Sequence, residues 1–466
     1  MRFNTTQSNK IVNYAGGEAF KESPKLALIS QLLTSFVQDQ YYRSADDSLE
    51  ELVNLIDQIK DKKFIAKAAV YARTKFGMRS ITHAVAAELA KRVKGERWTK
   101  RFYDRIVYRP DDITEIVAYY LNKYNKPLPN SLKRGLGQAL TKFDEYQLAK
   151  YRAERASVSL VDVVNLVHPK HTEAIAKLVK GTLKSKNTFQ VELTKAGKSE
   201  NKEQAKKKAW TKLIKSRKLG YFALLKNIRN IYEQAPEALD DALSMLTDEK
   251  LIKKSLVLPF RFLTAIKEVE KLNGTGVQDI LIALNKAVDI SITNVPKFDG
   301  DTLVVLDTSG SMEGRPAEIG SLFAAILVKN NHADFMTFSD HAEYQTLNPL
   351  DSTMTLAKSI KFEFGSTNFH SIFETANRAY QRIIILSDMQ GWVGYHNPTQ
   401  SFNEYKERVG ANPIIYSFDL QGYGSLQFPE KNVYALAGFS EKVFDVMKLL
   451  ESDKQALIKK IKEINL

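Results

Sequence analysis

The sequence predicts a multidomain protein in which an all-α helical-repeat region, residues 1–298, is followed by an α/β doubly wound domain, residues 299–466. The first observation behind this prediction is a change of hydrophobic periodicity at "NVPKFDGD", from the three- and four-residue steps of helices to short apolar runs. The second is a change of charge at the same place. Residues 299–466 carry 15 Lys and Arg against 21 Asp and Glu, whereas the preceding residues carry 53 against 33.

Amphipathic helices account for most of the first region. In "PKLALISQLLTSFV" the apolar side chains fall on one face of a helix, and breakers such as "YRPDD" and "KPLPNS" separate similar segments. No strict sequence repeat is visible, so element lengths alone favour stacked helix pairs. Residues 187–204 alternate and then become polar, which predicts an excursion from the helical array. The other amphipathic segments are "LEELVNLIDQI", "KFIAKAAVYARTKF", "DDITEIVAYYLNKY", "LVDVVNLV", "YFALLKNIRNIY" and "VQDILIALNKAV".

Buried strands alternate with helices in the second region. This alternation indicates a mostly parallel sheet with helices on both faces, and ligands of such sheets bind at the carboxyl ends of the strands. The segments "AEIGSLFAAILVKN" and "HSIFETANRAYQR" are predicted crossover helices. The predicted strands are "TLVVLD", "ADFMTFS", "RIIILSD", "NPIIYSFD" and "NVYALAG".

Composition narrows the class of protein further. The chain has no cysteine, which excludes disulfides and thiolate metal sites and is typical of a reducing compartment. The start "MRFNTTQSNK" lacks the apolar core of a signal peptide, and no stretch reaches the roughly 20 apolar residues of a membrane span. We therefore expect a cytoplasmic protein without membrane contact.

The excess of basic residues before position 299 indicates a polyanionic partner. Lys and Arg side chains that neutralise phosphates release condensed counterions, which drives association with nucleic acid. The alternative is a basic helical domain whose charge serves solubility alone.

Oxygen-bearing side chains cluster at the predicted strand ends. "VVLDTSGSM" places Asp307, Ser309 and Ser311 at two-residue spacing, so three oxygens can point toward one ion. Thr367 of "FGSTNF" and Asp388 of "RIIILSD" follow in neighbouring loops. Such ligands suit a hard divalent cation, Mg²⁺, Mn²⁺ or Ca²⁺. The alternative is that the two serines cap the next helix.

No catalytic motif is supported. "AGKS" lacks the earlier glycine of a phosphate-binding loop, because position 192 is Glu192. "DTSGSM" lacks the flanking glycines of a serine nucleophile elbow, and the seven histidines form no close metal-binding pair on a helix. We expect a protein that is not an enzyme.

"DTSGSM", "GSTN" and "LSD" resemble the metal-ion-dependent adhesion site (MIDAS) of a von Willebrand factor A (vWA) domain, a Rossmann-like fold. The resemblance implies that a divalent cation is bound directly or through water. A carboxylate from a protein partner often completes the coordination. The ligands implied by the match are Asp307, Ser309, Ser311, Thr367 and Asp388.

Five stretches of the first region follow one another in the order "NYAGGEAF", "VYARTKFGMRSITHAVAAELA", "PLPNSLKRGLGQAL", "LGYFALLKNIRNIY" and "LPFRFLTAI". With them, the first region resembles the TROVE domain of the Ro ribonucleoproteins, of bacterial or phage type. The order of the matching stretches carries the resemblance, which implies a ring of HEAT-like helical repeats closed by the vWA domain. Family members bind Y RNAs on an outer basic surface and single-stranded 3′ ends of misfolded RNAs in the central hole.

The resemblance places the outer RNA-binding surface on "LAKYRAERASVSLVDVVNLVHPKH". There Lys150, Arg152, Arg155 and His168 occupy the matching basic positions, although Lys150 and Arg152 are offset by a residue or two. The stretch "ERWTKRFYDRIVYRP" interleaves basic and aromatic residues, which allows stacking on unpaired bases, but we expect most of its rings to face the core.

The sequence therefore predicts a noncatalytic, monomeric RNA-binding scaffold that takes up Y-like small noncoding RNAs and the 3′ ends of misfolded RNAs. Its role would be RNA quality control or degradation, with a 3′ exoribonuclease such as polynucleotide phosphorylase as partner. The vWA domain would be a cation-dependent docking site or a purely structural clamp of the ring. One alternative is a protein-interaction module that recruits an acidic partner. Another is an accessory subunit of a metal chelatase.

Overall fold

The computed structural model describes residues 10–12, 18–21, 23–34, 45–151, 156–183, 189–217, 219–255, 257, 259–292, 297–391, 393, 398–421, 425–426, 433–436, 447 and 456–466. The chain forms two compact units. Ser35–Lys198 with Gln455–Leu466 form the helical unit, and Met1–Thr34 with Ser199–Lys454 form the sheet unit.

Helices that are close in sequence pack on each other in the helical unit. α3 packs on α4 and α5, α4 on α6, α5 on α7, and both α6 and α7 on α9, while α22 returns to contact α3. The helices are α2 (Ala45–Gln58), α3 (Lys62–Lys75), α4 (Ser80–Arg92), α5 (Trp98–Ile106), α6 (Pro110–Tyr124), α7 (Asn130–Leu140), α8 (Glu145–Lys150), α9 (Leu160–Val167), α10 (Glu173–Val179), α11 (Phe189–Gly197) and α22 (Ala456–Lys462).

Local sequence explains where these helices begin and end. The Asp61 side chain accepts a hydrogen bond from the Phe64 N–H at 2.9 Å and caps α3, and Pro110 opens α6 at a position that needs no N–H donor. Asn125 and His168 end α6 and α9 in the left-handed region, with φ of 45° and 47°.

A buried carboxylate ties α3, α4 and α6 together. Asp112 accepts hydrogen bonds from Arg73 Nη2 at 2.9 Å and Arg79 Nε at 2.8 Å, and from the backbone N–H groups of Tyr108 and Arg109. Burial alone would raise the pKa of Asp112, but His83, whose Nε2 lies 3.2 Å from Asp112 Oδ1, and the charges of the arginines outweigh it and hold the pKa well below its ordinary value. Asp112 is therefore a fixed anion in this core.

Asp112→Ala should destabilise the protein by about 3–5 kcal/mol, because Arg73 and Arg79 would keep their charges and lose the buried partner. Urea unfolding followed by circular dichroism measures the loss. The matched control is Asp104→Ala, which removes a partly exposed carboxylate paired with Lys142 at 3.3 Å. This control should change stability by no more than about 1 kcal/mol, and equal losses in both variants would contradict the assignment.

Among the described residues of the sheet unit, seven α-helices precede the main sheet. Among them, α13 packs on α14 and α16, and α17 packs on α14, α15 and α16. These helices are α12 (Lys202–Lys215), α13 (Tyr221–Gln234), α14 (Leu239–Leu246), α15 (Glu249–Ser255), α16 (Pro259–Glu270) and α17 (Val277–Ser291), and α1 (Pro24–Thr34) belongs to the same unit.

Six described strands form the main sheet in the order β5-β4-β3-β6-β7-β9. All neighbouring pairs are parallel except β4 and β5, which are antiparallel. A second, antiparallel sheet joins β1 (Lys10–Val12), β2 (Glu18–Lys21) and β8 (Ser425–Leu426). The strands of the main sheet are β3 (Thr302–Asp307), β4 (Asp334–Phe338), β5 (Ala342–Gln345), β6 (Arg382–Ser387), β7 (Ile414–Asp419) and β9 (Val433–Leu436).

Helices cover both faces of the main sheet. Leu303 and Val305 of β3 lie in a cluster with Phe373 of α20 and Phe402 of α21. On the opposite face α18 packs on β3, where Gly320 lies against Leu306. Successive strand residues point to opposite faces, so both faces are apolar and the strands read as continuous hydrophobic runs. The covering helices are α18 (Arg315–Asn331), α19 (Thr353–Ser359), α20 (Phe369–Thr375) and α21 (Pro398–Val409).

The structure confirms the predicted fold class and corrects two predicted elements. Phe189–Gly197 is helical rather than an excursion, because helix-forming residues such as Glu192 and Ala196 outweigh the short alternation. The helix predicted over residues 370–382 ends at Thr375, where Arg408 Nη2 donates to the carbonyls of Phe373 and Ala376 and satisfies the open end.

The compact units do not follow the predicted division between residues 298 and 299. α12–α17 belong to the sheet unit, where the Asp289 carboxylate of α17 accepts a hydrogen bond from the Thr353 N–H of α19 at 3.1 Å. The change from helices to strands nevertheless falls between Ser291 and Thr302. No helix in the described part of the chain is long and apolar enough to cross a membrane.

Candidate metal centre and nucleic-acid interface

Three aspartates lie at the carboxyl edge of the main sheet. β3 and β6 are parallel neighbours with Leu306 opposite Leu386, so Asp307 and Asp388 emerge side by side. Asp419 ends the next strand, opposite Ser387. All three aspartates are buried.

Backbone hydrogen bonds hold the two predicted loops against each other. The Gly310 N–H donates to the Gly365 carbonyl at 3.0 Å, and the Phe364 N–H donates to the Thr308 carbonyl at 2.8 Å. A Cβ at Gly310 would lie 3.3 Å from the Phe364 carbonyl oxygen, so the close approach favours glycine. The loop that carries Thr367 is thereby fixed beside Asp307, and the Thr367 side chain is buried.

The hydroxyl groups point toward the carboxylates. Ser309 Oγ lies 3.3 Å from Ser311 Oγ, and the Ser309 N–H donates to Asp307 Oδ1 at 2.9 Å. A hydrogen bond from Ser311 acts on Asp388 and lowers its pKa. The structure therefore places Ser309 and Ser311 beside the two aspartates at this edge of the sheet.

Neither serine caps the helix that follows. α18 begins after Gly314, and the side chain of Ser309 makes no capping hydrogen bond to the short 3₁₀ turn Gly310–Met312. The helix-cap alternative therefore lacks the hydrogen bonds that it requires.

Electrostatic repulsion remains at this edge. Burial raises the pKa of Asp307 to about 6, although hydrogen bonds from Ser309 and Ser387 act to lower it. Burial and the charges of Asp307 and Asp419 raise the pKa of Asp388 well above its ordinary value. Within the described ranges, no ion pair with Lys or Arg offsets the charge of Asp307 or Asp388. Two buried carboxylates without a basic partner fit a bound cation.

The candidate metal ligands at this edge are carboxylate and hydroxyl oxygens. Among the described residues, no group of three or more His, Cys, Asp and Glu side chains is placed to hold a metal ion. An ion here would therefore use the two carboxylates with hydroxyl oxygens and water, which is a set suited to Mg²⁺ or Mn²⁺ rather than to a soft metal.

Sequence reasoning missed two residues of this edge. Asp419 follows "NPIIYSF" as Asp388 follows "RIIILS", and the same strand-end pattern could have identified it. Gln421 Nε2 donates to the Ser311 carbonyl at 2.9 Å and lies 3.5 Å from Asp388 Oδ2. No sequence signal pointed to Gln421, because its position depends on the turn after β7.

The predicted RNA-binding residues lie on the helical unit. Lys150 ends α8 and His168 ends α9, both are exposed, and α10 packs on both helices. Lys150 Nζ lies 5.2 Å from the centre of the Tyr151 ring, which Arg109 also approaches at 5.0 Å. Arg152 and Arg155 lie outside the described residues.

The basic and aromatic stretch over residues 96–110 is divided between buried and accessible rings. Phe102 and Tyr103 are fully buried, whereas Tyr108 is 51% exposed and Trp98 is half-buried. Two of the four rings therefore serve the core, and Trp98 and Tyr108 retain an accessible surface.

Fold and site together define a helical-repeat protein that carries a vWA-like α/β domain with an oxygen-rich site at its strand ends. The family model of the TROVE domain matches residues 18–205 and 190–299, more than half of the chain. The chain therefore belongs to the TROVE-domain family of Ro ribonucleoproteins. Proteins of this family are RNA-binding scaffolds, not enzymes, which agrees with the predicted absence of catalysis.

The chain is also similar to a solved structure and to two curated proteins. The crystal structure of the Deinococcus radiodurans RO (RSR) protein superposes with a TM-score of 0.60 and 17% identity, over 91% of this chain and 98% of that chain, and it shows the shared fold. Telomerase protein component 1 of Rattus norvegicus and of Mus musculus are each 28% identical over 144 residues, 29% of this chain. The matched part spans 5% of the length of these two relatives.

Proposed function

We propose that this RNA-binding protein takes up Y-like small noncoding RNAs and the 3′ ends of misfolded RNAs and acts in RNA quality control or degradation. The observation that carries the proposal is the excess of 53 basic over 33 acidic residues before position 299, in a chain of the TROVE family. Lys150, at the end of α8, is an exposed part of this charge, and His168 at the end of α9 is exposed as well, so phosphates can reach both side chains.

The RNA class can be tested by sequencing RNA crosslinked to the protein in cells. Small structured noncoding RNAs and defective transcripts should be enriched over their cellular abundance. Recovery of RNA in simple proportion to abundance would contradict the proposed selectivity while leaving RNA binding itself intact.

We further propose that the carboxyl edge of the sheet binds a divalent cation, Mg²⁺, Mn²⁺ or Ca²⁺, through Asp307, Ser309, Ser311, Thr367 and Asp388. The buried pair Asp307 and Asp388 supports this role, because a cation would stabilise both charges. A carboxylate of a protein partner would complete the coordination. A 3′ exoribonuclease such as polynucleotide phosphorylase is the partner that we propose for the RNA-processing function.

The same buried pair supports a second candidate function, a cation-dependent protein-interaction module that recruits an acidic partner. In that case the basic helices would serve the protein contact rather than RNA. Purification of the protein from cells separates the two functions, since the scaffold should carry nuclease-sensitive RNA and the module should not.

The triple substitution of Lys150, Arg152 and Arg155 by Ala should weaken binding of a stem-loop RNA by about tenfold or more, because each lost phosphate contact reduces counterion release. An electrophoretic shift titration measures the change. Lys226, Lys250 and Lys254 are exposed lysines of the sheet unit, and their replacement by Ala removes the same charge as a control. If both variants bind equally, the RNA-binding surface lies elsewhere.

A further inference from the structure

The helical unit contains a basic cavity of about 930 Å³ beside the start of α5. Its wall comes from α3, the loop between α4 and α5, α5 itself, Gln138 of α7 and Leu466, the last residue of the sequence. Among the described residues that line it, two have acidic side chains, Glu96 and Asp104, and Asp104 is already paired with Lys142 at 3.3 Å. The basic side chains that line it are Lys63, Lys94, Arg97, Lys100 and Arg101.

The positive charge of this cavity is largely unneutralised. Within the described part of the chain, Lys94, Arg97 and Lys100 are exposed and make no ion pair with a carboxylate. Arg101 Nη1 donates to the neutral Asn465 Oδ1 at 2.7 Å, so its charge also remains. Cations that converge on one concave surface repel each other, and an anion that enters the cavity relieves this repulsion.

An aromatic ring is part of the same wall. Trp98 is half-buried, and its ring meets the Phe102 ring edge-on, with centroids 6.3 Å apart and an interplanar angle of 70°. Phe102 is fully buried, so it anchors the indole while part of Trp98 stays open to the cavity. A base that stacks on such a ring brings its phosphate within reach of neighbouring Lys and Arg side chains.

We propose that this cavity binds an unpaired nucleotide of single-stranded RNA, with the base against Trp98 and the phosphate among Lys94, Arg97 and Lys100. The inference rests on the proposed RNA-binding function and adds a site on α5, apart from the helices of Lys150 and His168. A base can stack on Trp98 only when it is free of its own base-pairing partner, so the site fits an unpaired nucleotide rather than a duplex. An acidic peptide could pair with the basic side chains, but it has no base to stack on the indole ring of Trp98.

Trp98 offers a direct probe of the site. The chain has three tryptophans, and Trp210 is only 1% exposed with its Nε1 donating to Gln234 at 3.1 Å. Titration of the full chain with a uridine hexanucleotide should quench tryptophan fluorescence in a saturable way. Trp98→Phe should remove the quenching yet preserve most of the binding measured by anisotropy of labelled oligonucleotide. Trp98→Ala should weaken that binding by about tenfold, because it removes the stacking surface.

A charge-matched pair of double variants tests the phosphate contacts. Lys94→Glu with Lys100→Glu should weaken hexanucleotide binding by about tenfold or more relative to Lys75→Glu with Lys126→Glu. Lys75 and Lys126 are exposed in the same unit and do not line the cavity. Equal affinities of the two double variants, or quenching that survives Trp98→Phe, would overturn the proposal. Equal quenching by base-paired RNA, inorganic phosphate or an oligoglutamate peptide would also overturn it.

A stem-loop RNA with a single-stranded tail separates this inference from the proposed function. If the stem-loop binds tightly and the hexanucleotide gives no quenching that depends on Trp98, the α5 site is wrong and RNA binding stands. If neither RNA binds the wild-type protein, the proposed function itself fails.

Discussion

The affinity of the protein for a stem-loop RNA with a single-stranded tail should fall by about 10³-fold or more between 50 and 200 mM salt, as expected for six or more phosphate contacts. The physical reason is counterion release, since basic residues outnumber acidic ones by 53 to 33 before position 299. Exposed cations such as Lys150 and Lys100 are available for these contacts. The plot of log affinity against log salt concentration measures the effective number of phosphates.

The slope of this plot also tests whether the proposed RNA-binding residues contact phosphates. The triple alanine variant of Lys150, Arg152 and Arg155 should show a shallower slope, whereas the control variant of Lys226, Lys250 and Lys254 should keep the wild-type slope. A nearly flat response of the wild-type protein would mean that phosphate contacts do not drive binding, and the basic surface would then lose its proposed role.

The strands of the main sheet were predictable because their residues are buried on both faces. Runs such as "TLVVLD" and "RIIILS" have consecutive apolar residues, without the alternation of polar and apolar residues that marks an amphipathic strand. They match β3 and β6. β5 escaped prediction because the edge strand "AEYQ" is short and partly polar. Its pairing with β4 depends on a tertiary contact rather than on its own composition.

The candidate metal centre was predictable only in part. Asp307 and Asp388 end strands whose apolar runs are visible in the sequence, so their common edge followed from the parallel topology. The packing of the Thr367 loop on the Asp307 loop needs backbone hydrogen bonds between residues more than 50 positions apart, which no local pattern encodes. The role of Arg408 in ending α20 is hidden from the sequence for the same reason.

Asp307→Ala should abolish measurable binding of Mg²⁺ or Mn²⁺ and leave RNA affinity nearly intact. Loss of groups that only orient metal ligands costs about 10–100-fold in metal affinity, so loss of a direct anionic ligand should cost at least about 100-fold. The fold should survive, because the substitution removes one of two buried, mutually repelling carboxylates and thereby favours ionised Asp388. Calorimetric titration of the cation into wild type and variant measures the first effect, and an electrophoretic shift titration measures the second.

Asp301→Ala is the matched control, because Asp301 is exposed and precedes the amino end of the same strand that Asp307 ends. It removes an equal charge far along β3 from the carboxyl edge, so a general electrostatic effect of the acidic region would appear in both variants. Cation binding lost only in Asp307→Ala would locate the ion at the carboxyl edge. Cation binding that survives Asp307→Ala would instead mean that the oxygen cluster is only a structural feature of the strand ends. The proposed docking of an acidic partner through the ion would then be wrong as well.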